Sequence, residues 1–329
     1  MKPIAVIDLF CGMGGFSQGA IEAGAKVVLA VDLWEESLKV HYHNHPGTPI
    51  KRMTLGTKNQ FSLFMREVEK WRKLGYHVHI HGSPPCQALS NASSRDSSEG
   101  MPLVIWFLDL VKFTKPDSWS MENVVPMRKR LPEGTPSVVL NSADYGVAQT
   151  RRRCIAGEGW LASPSHSKEQ WVSVIEALPH LENELITHLQ GYSRTRPVMK
   201  NGKHTGVNTP RIPPDGCKTL DEPSFTVCAA SMNLFKLEAL GANSKRSQDR
   251  TILEPSKTIC GSGNQVGARI FNHEEKPTKI RSLTIEETLI LQGFNHNFDL
   301  SIVKTQKSKW TLIGNAVCPA VAKAIIEGI

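Results

Sequence analysis

Cys86 is the residue whose type and setting most invite chemistry. It sits in Gly82-Ser83-Pro84-Pro85-Cys86-Gln87-Ala88-Leu89-Ser90, directly after a β-like run from Tyr76 to His81. Two prolines fix φ and remove backbone donors, which places the thiol on a stiff turn at a strand's end. A single cysteine presented in this way is a candidate nucleophile. On this stretch alone the plainer alternative, a small apolar residue packed beside a turn, stays open. Two further groups could act with it. Ser118 to Met121 leads as a strand into Glu122-Asn123-Val124, and Gln149-Thr150-Arg151-Arg152-Arg153 precedes the strand-like Cys154 to Ala156. If the arginines lie on a strand, Arg151 and Arg153 share one side and Arg152 points away. His77, His79 and His81 also alternate with period two, but with no cysteine or acid near them the spacing does not make a metal site, and none is expected.

The elements that must position these residues read as an α/β protein. Ile4 to Phe10 is an apolar run broken only by Asp8, as in a strand buried on both faces. Cys11-Gly12-Met13-Gly14-Gly15 turns the chain, Phe16 to Ala23 has helical spacing, and Lys26 to Val31 is a second buried strand closing on Asp32. Strand, glycine loop, helix, strand and acid in this order form a nucleotide-binding βαβ pattern. Asp32 stands about 20 residues past the first loop glycine, where an acid can take ribose hydroxyls. The loop departs from the dinucleotide fingerprint and holds no basic residue from Cys11 to Gln18, so it suits a ligand without a pyrophosphate. Leu103 to Phe113 reads as a buried helix stopped by Lys115-Pro116, and Val138 to Leu140 as another strand. Strands and helices alternate this far, which predicts a sheet of parallel strands.

The bulk properties bound the function. The chain has 329 residues, enough for two structural units, with ordinary shares of charged and hydrophobic residues. A net charge of +8 makes a polyanionic partner plausible without identifying it. Seven cysteines, with no Cys-x-x-Cys, argue against a disulfide framework or a structural zinc. With no signal pattern and no long apolar span, the expectation is a soluble protein of a reducing compartment that does not meet a membrane.

From about Leu161 the texture changes. Trp171 to Leu178 reads as one short helix, and Pro, Gly, Ser, Asn and Thr then dominate to about residue 280. Between Gly191 and Arg250 ten Lys and Arg face five Asp and Glu, an excess of five positive charges. The segment contains a near-repeat, Glu222-Pro223-Ser224-Phe225-Thr226-Val227-Cys228 and Glu254-Pro255-Ser256-Lys257-Thr258-Ile259-Cys260, which predicts two equivalent turn-plus-strand pieces. Helical order returns with a capping box at Thr284-Ile285-Glu286-Glu287 and stops at Gly293. Ile313-Gly314-Asn315-Ala316-Val317 reads as a compact turn, and Pro319 as the first turn of a closing helix.

Five pieces thus follow one another: the glycine loop, Pro-Pro-Cys-Gln, Glu-Asn-Val, Gln-x-Arg-x-Arg and Gly-Asn-Ala-Val. Their order and spacing closely resemble the DNA cytosine-5 methyltransferase family over nearly the whole chain. Asp8 to Gly19 is similar to that family's S-adenosylmethionine loop, and Arg281 to Phe294 to its penultimate block. The resemblance implies a Rossmann-like S-adenosylmethionine-dependent methyltransferase sheet with a small, irregular, mostly-β target-recognition domain. The parts would be residues 1–160, cofactor-binding and catalytic; 161–280, target recognition; and 281–329, a return segment completing the catalytic domain.

The same resemblance implies roles. Cys86 would add to carbon 6 of cytosine, making carbon 5 an enamine able to accept a methyl group. Glu122 would bond ring N3 and the exocyclic amine, Arg153 the O2, and Arg151 would orient Glu122 or hold a phosphate. Cofactor contacts would come from Phe10, Gly12, Gly14, Gly15, Asp32, Leu103 and Asn315, with Asn315 also fixing its turn against the Pro-Cys loop. Gln87 and Ser90 would meet DNA, and Asn264, Gln265 and Arg269 after the second repeat copy would read bases. The target base must be flipped out of the duplex. The implied partner is double-stranded DNA, met by a monomer in the cytoplasm, at the nucleoid, alongside a companion restriction endonuclease. Two alternatives are a tRNA methyltransferase of the same fold and a catalytically dead DNA-binding regulator. The Cys-Phe-Thr of the tRNA branch is approached only by Ser224-Phe225-Thr226, while Cys86 and Glu122 speak against the regulator. Lys51-Arg52-Met53-Thr54-Leu55 lacks the family's adenine-binding acid, Leu33 rather than an aromatic follows Asp32, and the three histidines replace an Asp and aliphatics.

Overall fold

Alternation in Ile4–Leu9 sends Ala5, Ile7 and Leu9 to one side of a strand and Val6 and Asp8 to the other, and all five are buried. This strand, β1, lies centrally in the computed structural model, which describes residues 2–85, 101–182, 199–200, 203–204 and 283–329. It is followed by α1 (Gly15–Glu22), β2 (Lys26–Asp32), α2 (Glu35–Asn44), β3 (Ile50–Arg52), α3 (Phe61–Lys73) and β4 (His77–Gly82). Next come α4 (Met101–Thr114), β5 (Ser118–Asn123), β6 (Ser137–Asn141), β7 (Arg152–Glu158) and a single turn, α5 (Val174–Ala177). The chain closes with α6 (Ile285–Gln292), α7 (Gln306–Asn315) and α8 (Pro319–Glu327). No helix among the described residues is long and apolar enough to cross a membrane.

Seven strands form one sheet in the order β3-β2-β1-β4-β5-β7-β6. The first five are mutually parallel, as expected, but β7 runs antiparallel to both its neighbours. The reason is the connection. A parallel return needs a crossover of about a dozen residues or more, and residues 142–151 hold only a 3-10 turn, Ser142–Tyr145, and a short extension. The sheet is therefore mixed.

The two faces differ in chemistry. On one, Ala5, Ile7, Val78, Ile80 and Met121 pack against Phe64 of α3 and Phe107 and Leu110 of α4. On the other, Val6 and Ile155 meet Phe16 and Ala20 of α1 and Val321 and Ile325 of α8. A third cluster gathers Val174 and Leu178 with Leu289 and Leu291 of α6, Leu312 and Ile313 of α7, and Met13 of the glycine loop. The chain past residue 160 stays with this body. Leu161 N donates to Gly328 O (3.1 Å), Tyr145 Oη to Ala162 O (3.1 Å) and Trp171 Nε1 to Asp144 Oδ1 (2.8 Å). The expected boundary between 160 and 161 thus falls inside packed structure.

Local signals explain where the helices begin and end. The helix expected over Trp171 to Leu178 shrinks to α5, because Ser173 and Glu176 form a capping box that starts it late and Pro179 follows closely. The box of Thr284 and Glu287 opens α6, which stops at Gly293 as expected. Ile313 to Asn315, expected in a compact turn, are instead the last residues of α7. The turn proper is Ala316 to Cys318, and Pro319 then takes the first position of α8. Met199–Lys200 pairs antiparallel with Lys203–His204, and both repeat copies lie outside the described residues.

Helix α1 meets the start of α8 backbone to backbone. A Cβ on Gly15 would stand 2.2 Å from Val317 O, and one on Gly19 would stand 2.0 Å from Pro319 O. Neither neighbour is a side chain that can swing aside. Gly19→Ala should therefore cost about 1–3 kcal/mol of stability through overpacking. Gly47→Ala, whose Cβ meets nothing within 4 Å, should change it by less than about 0.5 kcal/mol. Chemical denaturation of both variants decides the point; equal midpoints would mean that the two helices do not need this approach.

Candidate active site

The glycine loop leaves β1 through backbone that favours glycine. Gly12 and Gly14 have φ of +54° and +98°, and Phe10 adopts +55° despite its side chain. Phe10 is half-buried and lies edge-on to Trp106 of α4, with ring centroids 6.0 Å apart. Asp32, closing β2, fixes the loop: one carboxylate oxygen accepts from Gly12 N and the other from Trp34 N, both at 2.8 Å. Each oxygen keeps a lone pair for a further donor. At Gly12 a Cβ would meet nothing within 4 Å, so the loop presents bare backbone to open space there. Leu103 is half-buried in α4 near Gly56, and Asn315 is exposed at the end of α7.

Beneath the loop lies a buried polar network that composition and spacing did not reveal. Ser17 Oγ donates to Asp8 Oδ2 at 2.6 Å and stands 2.9 Å from His41 Nε2. His45 Nε2 is 2.8 Å from Gln18 Oε1. Burial dominates the ionisation of these groups. It raises the Asp8 carboxyl to about 7, against the lowering effect of the Ser17 hydroxyl, and lowers His41 to about 3 and His45 to about 4. Both rings are therefore neutral props for the loop helix.

At the carboxyl ends of β4 and β5 the Pro-Pro turn meets the Glu-Asn-Val segment. Gly82 leaves room for the ring of Phe107, which would be 2.3 Å from a Cβ. Ser83 N donates to Leu9 O at 3.1 Å, and Asn123 Nδ2 holds Pro84 O at 3.2 Å. Asn123 is thus the side chain that bonds to Pro84 of this turn. Beside it, Arg153 Nε donates to Glu122 Oε1 at 2.9 Å, with both side chains largely buried. Such a pair holds the carboxylate in one orientation.

Arg151 is not on a strand with Arg153, as had been expected. Strand β7 begins at Arg152, so Arg151 precedes the pleat and turns inward. Its Nη2 donates to Gly314 O and Ala316 O, both at 3.0 Å, and Gln292 Nε2 also donates to Ala316 O. It clamps the turn between α7 and α8, while Arg152 is exposed as expected. Cys86, Gln87, Ser90, Asn264, Gln265 and Arg269 lie outside the described residues. The expected interval from Lys51 to Leu55 offers no acid, and Arg52 pairs instead with Glu35 at 2.8 Å.

The model of the C-5 cytosine-specific DNA methylase family matches residues 4–133 and 134–329. Type II methyltransferase M.HindV of Haemophilus influenzae is 28% identical over 98% of this chain and 95% of its own. Type II methyltransferase M1.HphI of Haemophilus parahaemolyticus is 26% identical over 99% of this chain and 86% of its own. Among solved structures, the Dnmt2 methyltransferase of S. pombe is similar in fold. It shares 15% identity with a TM-score of 0.54, and the match covers 99% of this chain and 98% of that one.

The weakened acidity of Asp8 has a measurable consequence. In the fold Asp8 holds its proton up to about pH 7, whereas in the unfolded chain it ionises near 4. Its contribution to stability is therefore present below about pH 4 and is lost as pH rises to about 7. The buried histidines act in the opposite sense, but equally in wild type and variant. The stability of wild type relative to Asp8→Asn should fall steadily between pH 4 and 7 in thermal unfolding. A difference independent of pH would contradict the burial of this carboxyl.

Proposed function

Because the chain belongs to the C-5 cytosine-specific DNA methylase family, we propose that it methylates carbon 5 of a cytosine flipped out of duplex DNA, through a covalent adduct with Cys86. The observation that carries this reading is the meeting of two segments. Asn123 ties the turn that leads into Cys86 to the strand end where Arg153 grips Glu122. The Pro84 carbonyl, two residues before Cys86 in the chain, thus stands beside the segment that carries the Glu122 carboxylate and the Arg153 guanidinium, which supports their joint use in addition to a pyrimidine ring.

The residues fit S-adenosylmethionine. The glycine loop has no cation to repel a positively charged sulfur, opens to free space at Gly12, and carries the Asp32 carboxylate for hydroxyl donors. Phe10, Gly12, Gly14, Gly15, Asp32, Leu103 and Asn315 would hold the group, which supplies an electrophilic methyl. The protein's own part is to activate the base. The Cys86 thiolate adds to carbon 6 of the ring. Glu122 accepts from protonated N3 and the exocyclic amine, stabilising the ring as it gains electron density. Arg153 holds Glu122 in place and donates to O2. Loss of the carbon 5 proton and expulsion of the thiolate complete the exchange.

Recognition is the task of the remaining chain. Target recognition falls to the part of residues 161–280 that follows the stretch packed on α6 and α7 up to Leu178, and its positive excess between Gly191 and Arg250 meets phosphates. Gln87 and Ser90 contact the DNA around the flipped base, and Asn264, Gln265 and Arg269 read base edges. Relatives named type II methyltransferases support a restriction-modification setting; within it the chain acts as a monomer beside a companion restriction endonuclease, in the compartment that holds the DNA.

A duplex carrying 5-fluorocytosine tests this, because fluorine cannot leave as the proton does. Wild-type protein with cofactor should form an adduct that survives denaturation. Cys86→Ser should form none and lose methyl transfer while still binding DNA. Methylation by Cys86→Ser near the wild-type rate would overturn the assignment.

A further inference from the structure

Around Glu122 and Arg153 stands a group of cations that the chemistry leaves unused. Residues 124–132 contain Arg128, Lys129 and Arg130 and no acid, and residues 145–157 contain Arg151, Arg152 and Arg153 and no acid. Arg151 is buried against the turn between α7 and α8, Arg153 is held by Glu122, and Arg130 interacts within the protein. Arg128, Lys129 and Arg152 remain, and all three are exposed. Among the described residues no ion pair engages any of them. Cations elsewhere on the body do have such partners: Lys39 and Arg52 pair with Glu35, and Arg72 with Asp117.

The fold brings the three together. Strand β5 runs antiparallel to β7 with Asn123 opposite Cys154, so the chain that continues past Asn123 runs on beside Arg153 and then Arg152. There it makes a 3-10 turn, Val125–Lys129, with Pro126 in its first positions. Met127 is fully buried in the core under α3 and α4 and anchors the turn, which leaves Arg128 and Lys129 at the surface. The Cys154 thiol marks the proximity. Burial raises it to about 11, Arg128 opposes the rise and Glu122 adds to it, so both side chains stand near this one sulfur. Arg152 opens β7 on the other side, in register with Asn141 of β6.

We propose that Arg128, Lys129 and Arg152 grip the backbone of duplex DNA on the catalytic body itself, a reading that rests on Glu122 and Arg153 as the base site. A base that reaches Glu122 stays joined to its sugar and to the phosphates on either side. Those anions must therefore come to the rim of this same strand end. Cations placed there meet the backbone by charge, without reading sequence. The two arginines offer planar forks that match a pair of phosphate oxygens, and Lys129 a compact point charge. Like charges gathered without counter-charges repel one another, and the phosphates supply the missing partners. The anchored turn makes this grip rigid, so it fixes the strand relative to Glu122 whatever sequence the recognition part has selected.

Binding of a fluorescent plasmid-derived duplex over a range of NaCl concentrations, with cofactor present, tests the grip. Each phosphate contact removed should flatten the slope of log affinity against log salt by about one. Arg128→Gln/Lys129→Gln should thus lose about two from the slope, and the triple variant that adds Arg152→Gln about three. Lys73→Gln removes an exposed cation where α3 ends, at the opposite edge of the sheet, and should keep the wild-type slope. A folded triple variant with the wild-type slope would overturn the grip, as would an equal loss in Lys73→Gln. Flattening on an RNA hairpin but not on the duplex would overturn duplex DNA as the occupant. Absence of a denaturation-resistant adduct between wild-type protein and a 5-fluorocytosine duplex would instead overturn the base site on which the proposal rests.

Discussion

The backbone contact between α1 and the start of α8 is the constraint on which the site depends. Gly15 and Gly19 let the helix after the glycine loop touch the carbonyls of Val317 and Pro319. Residues 302 and 300 positions apart in the chain thereby become neighbours. Arg151 reinforces the joint from the middle of the sequence by gripping the carbonyls of Gly314 and Ala316. The loop end of β1, the strand-end segment at Gln149 to Arg153 and the last two helices are thus set as one piece. The glycine loop, the Glu122–Arg153 pair and the return segment, remote from one another in sequence, gain a common frame from this joint.

The second organising feature is the unequal chemistry of the sheet's faces. The side covered by α3 and α4 is apolar and carries packing. The side under α1 holds Asp8, Ser17, His41, His79, His81, Ser118 and Ser120, all nearly inaccessible. Buried polar groups are costly unless bonded, and most of these bond to one another. The polarity runs toward the end of the sheet where the glycine loop and the Pro-Pro turn emerge, and so lies directly behind the chemistry.

Much of this was legible in the sequence, for local reasons. The apolar runs of β1 and β2, the capping box at Thr284 and the stop at Gly293 are signals carried within a few residues. The order of the five chemical pieces indicated a family, and the Glu-Asn-Val segment does stand beside the Pro-Pro turn. What escaped depends on pairing at a distance. The direction of β7 follows from the length of its connection, which apolar patterning does not encode. Arg151 was placed on a strand that begins one residue later. The histidines of β4 had no assigned role because their Ser118 and Ser120 partners lie 39 or 41 residues away. The signal was present, since Ser-x-Ser repeats the same period two, but it becomes meaningful only once β4 and β5 are known to be adjacent and in register.

These features converge on one claim, that the chain marks cytosines in duplex DNA at carbon 5. Bisulfite sequencing of plasmid recovered from cells expressing the protein tests it most directly, since 5-methylcytosine resists conversion. The account predicts protected cytosines at one recurring short sequence, absent from cells without the protein. Complete conversion of every cytosine in the presence of abundant, folded protein would contradict it.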